Sequence, residues 1–119
     1  MSFVWAKNDV ASMSVTLYDT NITLNKAACS PFEEYRFVLL GYDESTKQLA
    51  IKPVSKEEFD LNIYPRNQIH KISLGKSYGR ISNKHFMKMI ADLYHLDYQN
   101  GIKYDAFYDE DEQLMLVQL

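Results

Sequence analysis

The sequence predicts an α+β domain that is mostly β: two repeated β-α-β-β units packed as a pseudo-twofold β-barrel or sandwich, with one longer amphipathic helix at about 84–95. Three observations predict it. The chain resembles itself, Ile22-Thr23-Leu24-Asn25-Lys26-Ala27-Ala28 being matched by Arg80-Ile81-Ser82-Asn83-Lys84-His85-Phe86. Most of the remaining apolar residues fall in short β-prone runs bounded by turn residues. Only one segment carries apolar residues at helical spacing over several turns.

The elements follow in order. Ser14 to Tyr18 is β-prone through Val15 and Leu17, and the first Asn-Lys closes a second strand. Pro31 cannot sit comfortably inside a helix, so only about a turn fits around Lys26 to Ser30. Tyr35-Arg36-Phe37-Val38-Leu39-Leu40-Gly41-Tyr42, then Asp43-Glu44, then Gln48-Leu49-Ala50-Ile51-Lys52 reads as strand, acidic turn and strand. Ser55-Lys56-Glu57-Glu58 has the capping-box spacing and starts a short helix. Ile69, Lys71 and Ser73 alternate with His70, Ile72 and Leu74, a strand reaching Gly75, and Gly75 and Gly79 are expected to relieve strain at a turn.

In the second copy Phe86, Met89, Ile90 and Leu93 recur at spacings of three and four while Lys84, Lys88 and Asp92 take the other side, with Ser82 or Asn83 as N-cap. Asn100-Gly101 turns the chain into the last hairpin, Ile102 to Glu110 and Gln113 to Val117. The Asn-Lys, Tyr-Asp-Glu and Gln-Leu pairs keep the same order in both copies. The link from Lys84 to Tyr108 is longer than that from Lys26 to Tyr42, as a longer helix requires. One domain, 1–119, thus divides into a first repeat at about 14–54, a connector at 55–75 and a second repeat at about 76–119. Each hairpin alone would be marginal in water, and packing one unit on the other buries both apolar faces.

The 119 residues, 46% hydrophobic and 24% charged, suffice for one core without staples. A single cysteine, Cys29, excludes an internal disulfide. No apolar run approaches the roughly 18 residues of a membrane helix. The start, Met1-Ser2-Phe3-Val4-Trp5-Ala6-Lys7-Asn8-Asp9, lacks the basic-then-apolar pattern of a signal peptide, so the cytoplasm is the expected compartment.

No enzyme is expected, because no nucleophile, base and anion-binding set can be assembled. Gly75-Lys76-Ser77 resembles the tail of a phosphate-binding loop, but His70 stands where its first glycine belongs. His70, His85, His95 and Cys29 lack the spacing of a zinc site, and the acids Asp43-Glu44 and Asp109-Glu110-Asp111-Glu112 fall in hairpin turns without the central glycine of a calcium loop. No metal, cofactor or small-molecule substrate is indicated. Cys29, among Ala27, Ala28 and Pro31, reads as a buried, inert thiol. Tyr35, Tyr42, Tyr98, Tyr104 and Tyr108 sit mostly among acids, which favours core packing or a protein interface.

The net charge of −3 hides an asymmetry. Arg66, Lys71, Lys76, Arg80, Lys84 and Lys88 lie between Leu61 and Ala91, a stretch with no Asp or Glu; its +6 leaves −9 for the rest of the chain. Such a block is the electrostatic footprint of a polyanion-binding protein.

Ile22-Thr23-Leu24-Asn25-Lys26, a short helix, the Tyr35–Tyr42 strand and Leu49-Ala50-Ile51-Lys52-Pro53-Val54 together resemble the unit of the AbrB/MraZ/SpoVT swapped-hairpin family. Two such units in one chain are similar to the MraZ arrangement, and the resemblance covers roughly Val15 to Val54 and Lys76 to Leu119. Asn25 and Asn83 stand where family members usually carry proline. The resemblance implies a small bacterial DNA-binding regulator whose strands and loops present basic residues to duplex DNA. On this view the six basic residues contact phosphates, with the Gly75–Gly79 loop presenting Lys76. The alternative is a non-enzymatic interaction or assembly module, such as a mobile element or phage would carry, that forms homo-oligomers without nucleic acid.

Overall fold

The computed structural model describes residues 2–5 and 12–119. Its strands are β1 (Ser14–Leu17), β2 (Asn21–Asn25), β3 (Phe37–Asp43), β4 (Gln48–Val54), β5 (Ile69–Leu74), β6 (Tyr78–Ser82), β7 (Ile102–Asp109) and β8 (Leu114–Gln118). The helices are α1 (Lys26–Cys29), α2 (Lys56–Asp60) and α3 (Lys84–Tyr94), with 3-10 turns at Ser30–Phe32 and Arg66–Gln68. All strand pairs are antiparallel, and the order β1-β2-β6-β5-β3-β4-β8-β7 closes on itself through β1 and β7. The fold is therefore a closed eight-stranded antiparallel β-barrel with few short helices.

Alternation along the strands builds the interior. Val15, Leu17, Ile22, Leu24, Val38, Leu49, Ile51, Ile72, Ile81, Met115 and Val117 point inward and form the core with Phe32, Met87 and Ile90. Phe32 is fully buried against the edge of Tyr108, with ring centroids 6.4 Å apart, and its burial contributes roughly 1.5–3 kcal/mol. Pro31 lies in the first turn of the 3-10 segment, where its missing N–H costs nothing.

Local chemistry fixes the helix starts. The side chains of Asn25 and Asn83 accept from Ala28 N (2.9 Å) and Phe86 N (3.0 Å), capping α1 and α3. Ser55 and Glu58 form a full capping box at α2. The two barrel helices start at opposite ends of β2: α1 continues directly from Asn25, whereas Asn83 N donates to Thr20 O just before β2 begins. His95, in the left-handed conformation, ends α3 by donating its N–H to Ala91 O.

Two local expectations are corrected. The buried face of α3 centres on Met87 and Ile90, with Phe86 and Met89 partly buried against the core and Leu93 only partly covered, and Tyr98 folds back to donate to Met87 O at 2.7 Å. Gly79 is no turn residue. It lies inside β6, where a Cβ would stand 2.8 Å from Cys29 Sγ and 2.9 Å from Leu74 Cδ2, so the glycine permits close approach of α1 to the sheet. The strand Ile69–Leu74 forms a hairpin with β6, and residues 55–68 join it to the β3–β4 hairpin.

Candidate nucleic-acid interface

The outward residues of β2, β6 and β5 are Asn21, Thr23 and Asn25, then Tyr78, Arg80 and Ser82, then Ile69, Lys71 and Ser73. No Asp or Glu occurs in any of these three strands. Arg80 sits at their centre, directly opposite Thr23 on β2 and Ser73 on β5. Its guanidinium lies 5.6 Å from the Tyr78 ring centroid, which orients it by cation–π attraction. Shallow grooves flank it, one of about 390 Å³ lined by Ser73, Tyr78 and Ser82, the other of about 340 Å³ lined by Tyr18, Asn21 and Thr23. The surface thus presents hydroxyl and amide groups around one fixed cation, the donor set that phosphate oxygens accept from.

Lys71 is exposed on β5, opposite Phe37 of β3. Phe37 stacks on Phe59 of α2 with centroids 4.3 Å apart and planes 4° from parallel. The Arg66 guanidinium lies 3.7 Å over the Phe59 ring while its Nε donates to Asn62 Oδ1 at 3.2 Å. This stack anchors the 55–68 connector and brings Arg66 to the Lys71 side of the sheet. Lys76 is exposed in the β5–β6 loop, and Lys84 is the first residue of α3, immediately after β6. Lys88, one turn further, lines a separate groove of about 600 Å³ with Tyr42, His85, Met89, Leu93 and Asp92. The fold therefore gathers Arg66, Lys71 and Arg80 on one side, sets Lys76 and Lys84 at its ends, and places Lys88 one turn further along α3 in a groove that Asp92 also lines.

None of the six is neutralised by a partner: among the described residues the only ion pair joins Lys56 to Asp60, at 3.1 Å. His70 adds no charge near neutral pH, since burial holds its pKa below the ordinary value and its Nδ1 lies 3.3 Å from Asn83 Nδ2. Tyr18, Asn21, Thr23, Ser73, Tyr78 and Ser82 were missed in the sequence; their signal is the polar half of the strand alternation.

The other candidate centres are used structurally. Asp43 Oδ1 accepts from Ser45 N and Ser45 Oγ, which hold its carboxyl below the usual range, and Asp109 Oδ1 accepts from Asp111 N and Glu112 N. Burial, and then the Glu33 charge, push the Cys29 thiol up. Among the described residues no group of three His, Cys, Asp or Glu side chains could hold a metal ion, and no helix is long and apolar enough to cross a membrane.

Fold and surface together define a closed antiparallel β-barrel with an acid-free, basic outer sheet. Comparison with protein-family models, with curated proteins and with solved structures returned no match.

Proposed function

We propose that this barrel binds duplex DNA through the outer face of β2, β6 and β5, as a small regulator of the AbrB/MraZ type would. The observation that carries the reading is Arg80, unpaired at the centre of an acid-free three-strand face and joined by Lys71, Arg66 and the loop Lys76. Contacts of this kind position a protein on the sugar-phosphate backbone and are largely blind to sequence.

The internal duplication belongs to the same proposal, and pairing geometry supports it. Exchanging β1, β2, β3 and β4 for β5, β6, β7 and β8 leaves the strand order of the barrel unchanged. The turns match too: Tyr18 N donates to Asn21 O and Gly75 N to Tyr78 O, at 2.9 and 2.8 Å. The later hairpins are closed by Asp43–Gln48 and Asp109–Leu114, with Lys47 and Gln113 both at φ 54° before the returning strand. This register aligns Gln48 with Leu114, so the Gln48-Leu49 and Gln113-Leu114 match is one residue out: Leu49 faces the core and Leu114 does not. On this reading the second unit starts at β5.

Fluorescence anisotropy of a labelled random duplex tests the DNA reading. With about four phosphates engaged, log affinity falls against log salt with a slope near −3.6, or roughly 150-fold between about 50 and 200 mM salt. Replacing Lys71 and Arg80 together by Ala should bring the slope near −1.8 by the same relation. Absence of binding at the lower salt would end the proposal in favour of the assembly-module reading, which an outward apolar row on the other side of the barrel favours.

A further inference from the structure

Gly41 on β3, Ala50 on β4, Leu116 on β8 and Phe107 on β7 are direct cross-strand partners in a single line. Their neighbours Leu49, Ile51, Met115 and Val117 are buried, so alternation places this line on the outer surface. Leu39 and Ile69 pair beside it on β3 and β5, and Leu114 precedes Leu116 on β8. Phe107 is 50% exposed. The line has a trough: nothing lies within 4 Å of the position a Gly41 Cβ would take, and Ala50 adds only a methyl group. The groove there, about 480 Å³, is walled by Leu39, Leu114 and Lys52 on its apolar side and by Asn67, Gln68 and His70 on its polar side. The line itself is wholly apolar where a sheet face that meets water usually turns polar, while the row beside it sets Leu39 and Leu114 next to Lys52 and Asp109.

The same chain carries a second unpartnered apolar element. Phe3, Val4 and Trp5 are 66%, 100% and 80% exposed, and the rings of Phe3 and Trp5 stand 5.7 Å apart as adjacent prongs. The chain also enters the barrel beside the apolar face, since Ala106 N, next to Phe107, donates to Met13 O at 3.0 Å.

We propose that two copies exchange arms, the Phe3–Trp5 segment of each docking in the Gly41–Ala50 trough of the other. Area selects this occupant. The arm offers roughly 450 Å² of apolar side chain, taking about 150–250 Å² for a buried aromatic. Two outward rows across four strands offer about 300 Å². One arm in one trough buries about half of what a stable interface needs, whereas reciprocal exchange buries about 1,500 Å², the standard size. The acid-free β2–β6–β5 face stays outside the contact, so the dimer forms with or without a polyanion.

Multi-angle light scattering on the full chain, without nucleic acid, tests the exchange. The wild type should show twice the chain mass, and the double variant Phe3→Ser/Trp5→Ser, whose altered side chains are solvent-exposed, should show the single mass with an unchanged circular dichroism spectrum. Ala50→Arg, which fills the trough, should do the same. Should that variant fail to fold, cross-linking decides: in a Cys29→Ala background, Trp5→Cys chains mixed with Ala50→Cys chains should form a disulfide between the two types. A wild-type monomer at about 0.5 mM, far above the micromolar range of working interfaces, overturns the proposal. So does a dimer that survives loss of the arm, or cross-linking that ignores the arm–trough pair.

Discussion

Replacing Gly79 by Ala tests how closely α1 is held against the barrel wall. The new Cβ would sit 2.8 Å from Cys29 Sγ and 2.9 Å from Leu74 Cδ2. Leu74 is only partly buried and its methyl can swing aside, but Sγ is rigidly placed on a buried helix turn and cannot retreat without moving α1. Overpacking of this kind costs about 1–3 kcal/mol. Ala in place of Gly returns roughly 0.5–1 kcal/mol by restricting the unfolded chain. The expected net loss is therefore about 1–2 kcal/mol. Cys29→Ala alone removes a buried sulfur whose only polar contact is a weak 3.8 Å bond to Leu24 O, at a cost of about 1 kcal/mol. The double variant should be close to Cys29→Ala alone, a coupling of about 1–2 kcal/mol between neighbours. Urea unfolding followed by circular dichroism, with unchanged slope, reads all four corners of the cycle. Additivity within about 0.3–0.5 kcal/mol would refute the contact as the reason for the glycine.

The two caps should not be equal. Asn83→Ala removes its cap bond and the 3.3 Å contact to His70 Nδ1 and should cost about 1 kcal/mol, whereas Asn25→Ala removes a cap bond and two bonds to the backbone of Ser14 and Ser12 and should cost about 2 kcal/mol, measured by the same denaturation. Tyr98 should make the fold alkali-sensitive. Burial, then the charges of Tyr104 and Asp92, push its hydroxyl up to about 12 from 10, so the folded state keeps a proton that the unfolded state releases. Its contribution is complete below pH 10 and disappears as pH rises toward 12, up to roughly 2–3 kcal/mol. Tyr98→Phe should lower stability by about 1 kcal/mol at pH 8 and flatten the loss between pH 10 and 12; an equally steep loss would assign it to other tyrosines.

What was legible in the sequence is what short-range chemistry decides. The Ser55 capping box, the Asn83 cap, the alternation of Ile69 to Leu74 and the acid-closed hairpins each need only a few adjacent residues. The β-rich class and the barrel followed from the number of short strands whose apolar faces needed cover. Gly79 was misread because its constraint comes from Cys29, fifty positions away. The helix face omitted Met87, which packs in the core between Phe86 and Ile90 and lies one position off the three-and-four spacing. On the proposed duplication, the Gln48-Leu49 and Gln113-Leu114 match is one residue out of register, because identical letters can fall on opposite faces of a strand. At the candidate site, composition marked six cations, but their gathering depends on β2–β6 and β5–β6 pairing, and Lys88 lies one turn beyond Lys84 along α3, in a groove of its own.

Ring closure has a consequence for how this molecule comes into being. Each strand is paired on both sides, so the finished barrel offers no strand edge to which another chain could add. A nascent chain enjoys no such protection. Until Ile102–Asp109 and Leu114–Gln118 have emerged, β1 and β4 each lack a neighbour, because their partners are the last two strands made. Synthesis is therefore a period in which two open edges wait for the C-terminal hairpin, and the final pairing spans nearly the whole sequence, which slows closure. Any truncation before residue 102 prolongs that condition indefinitely, and such fragments should aggregate while the full-length chain stays in solution.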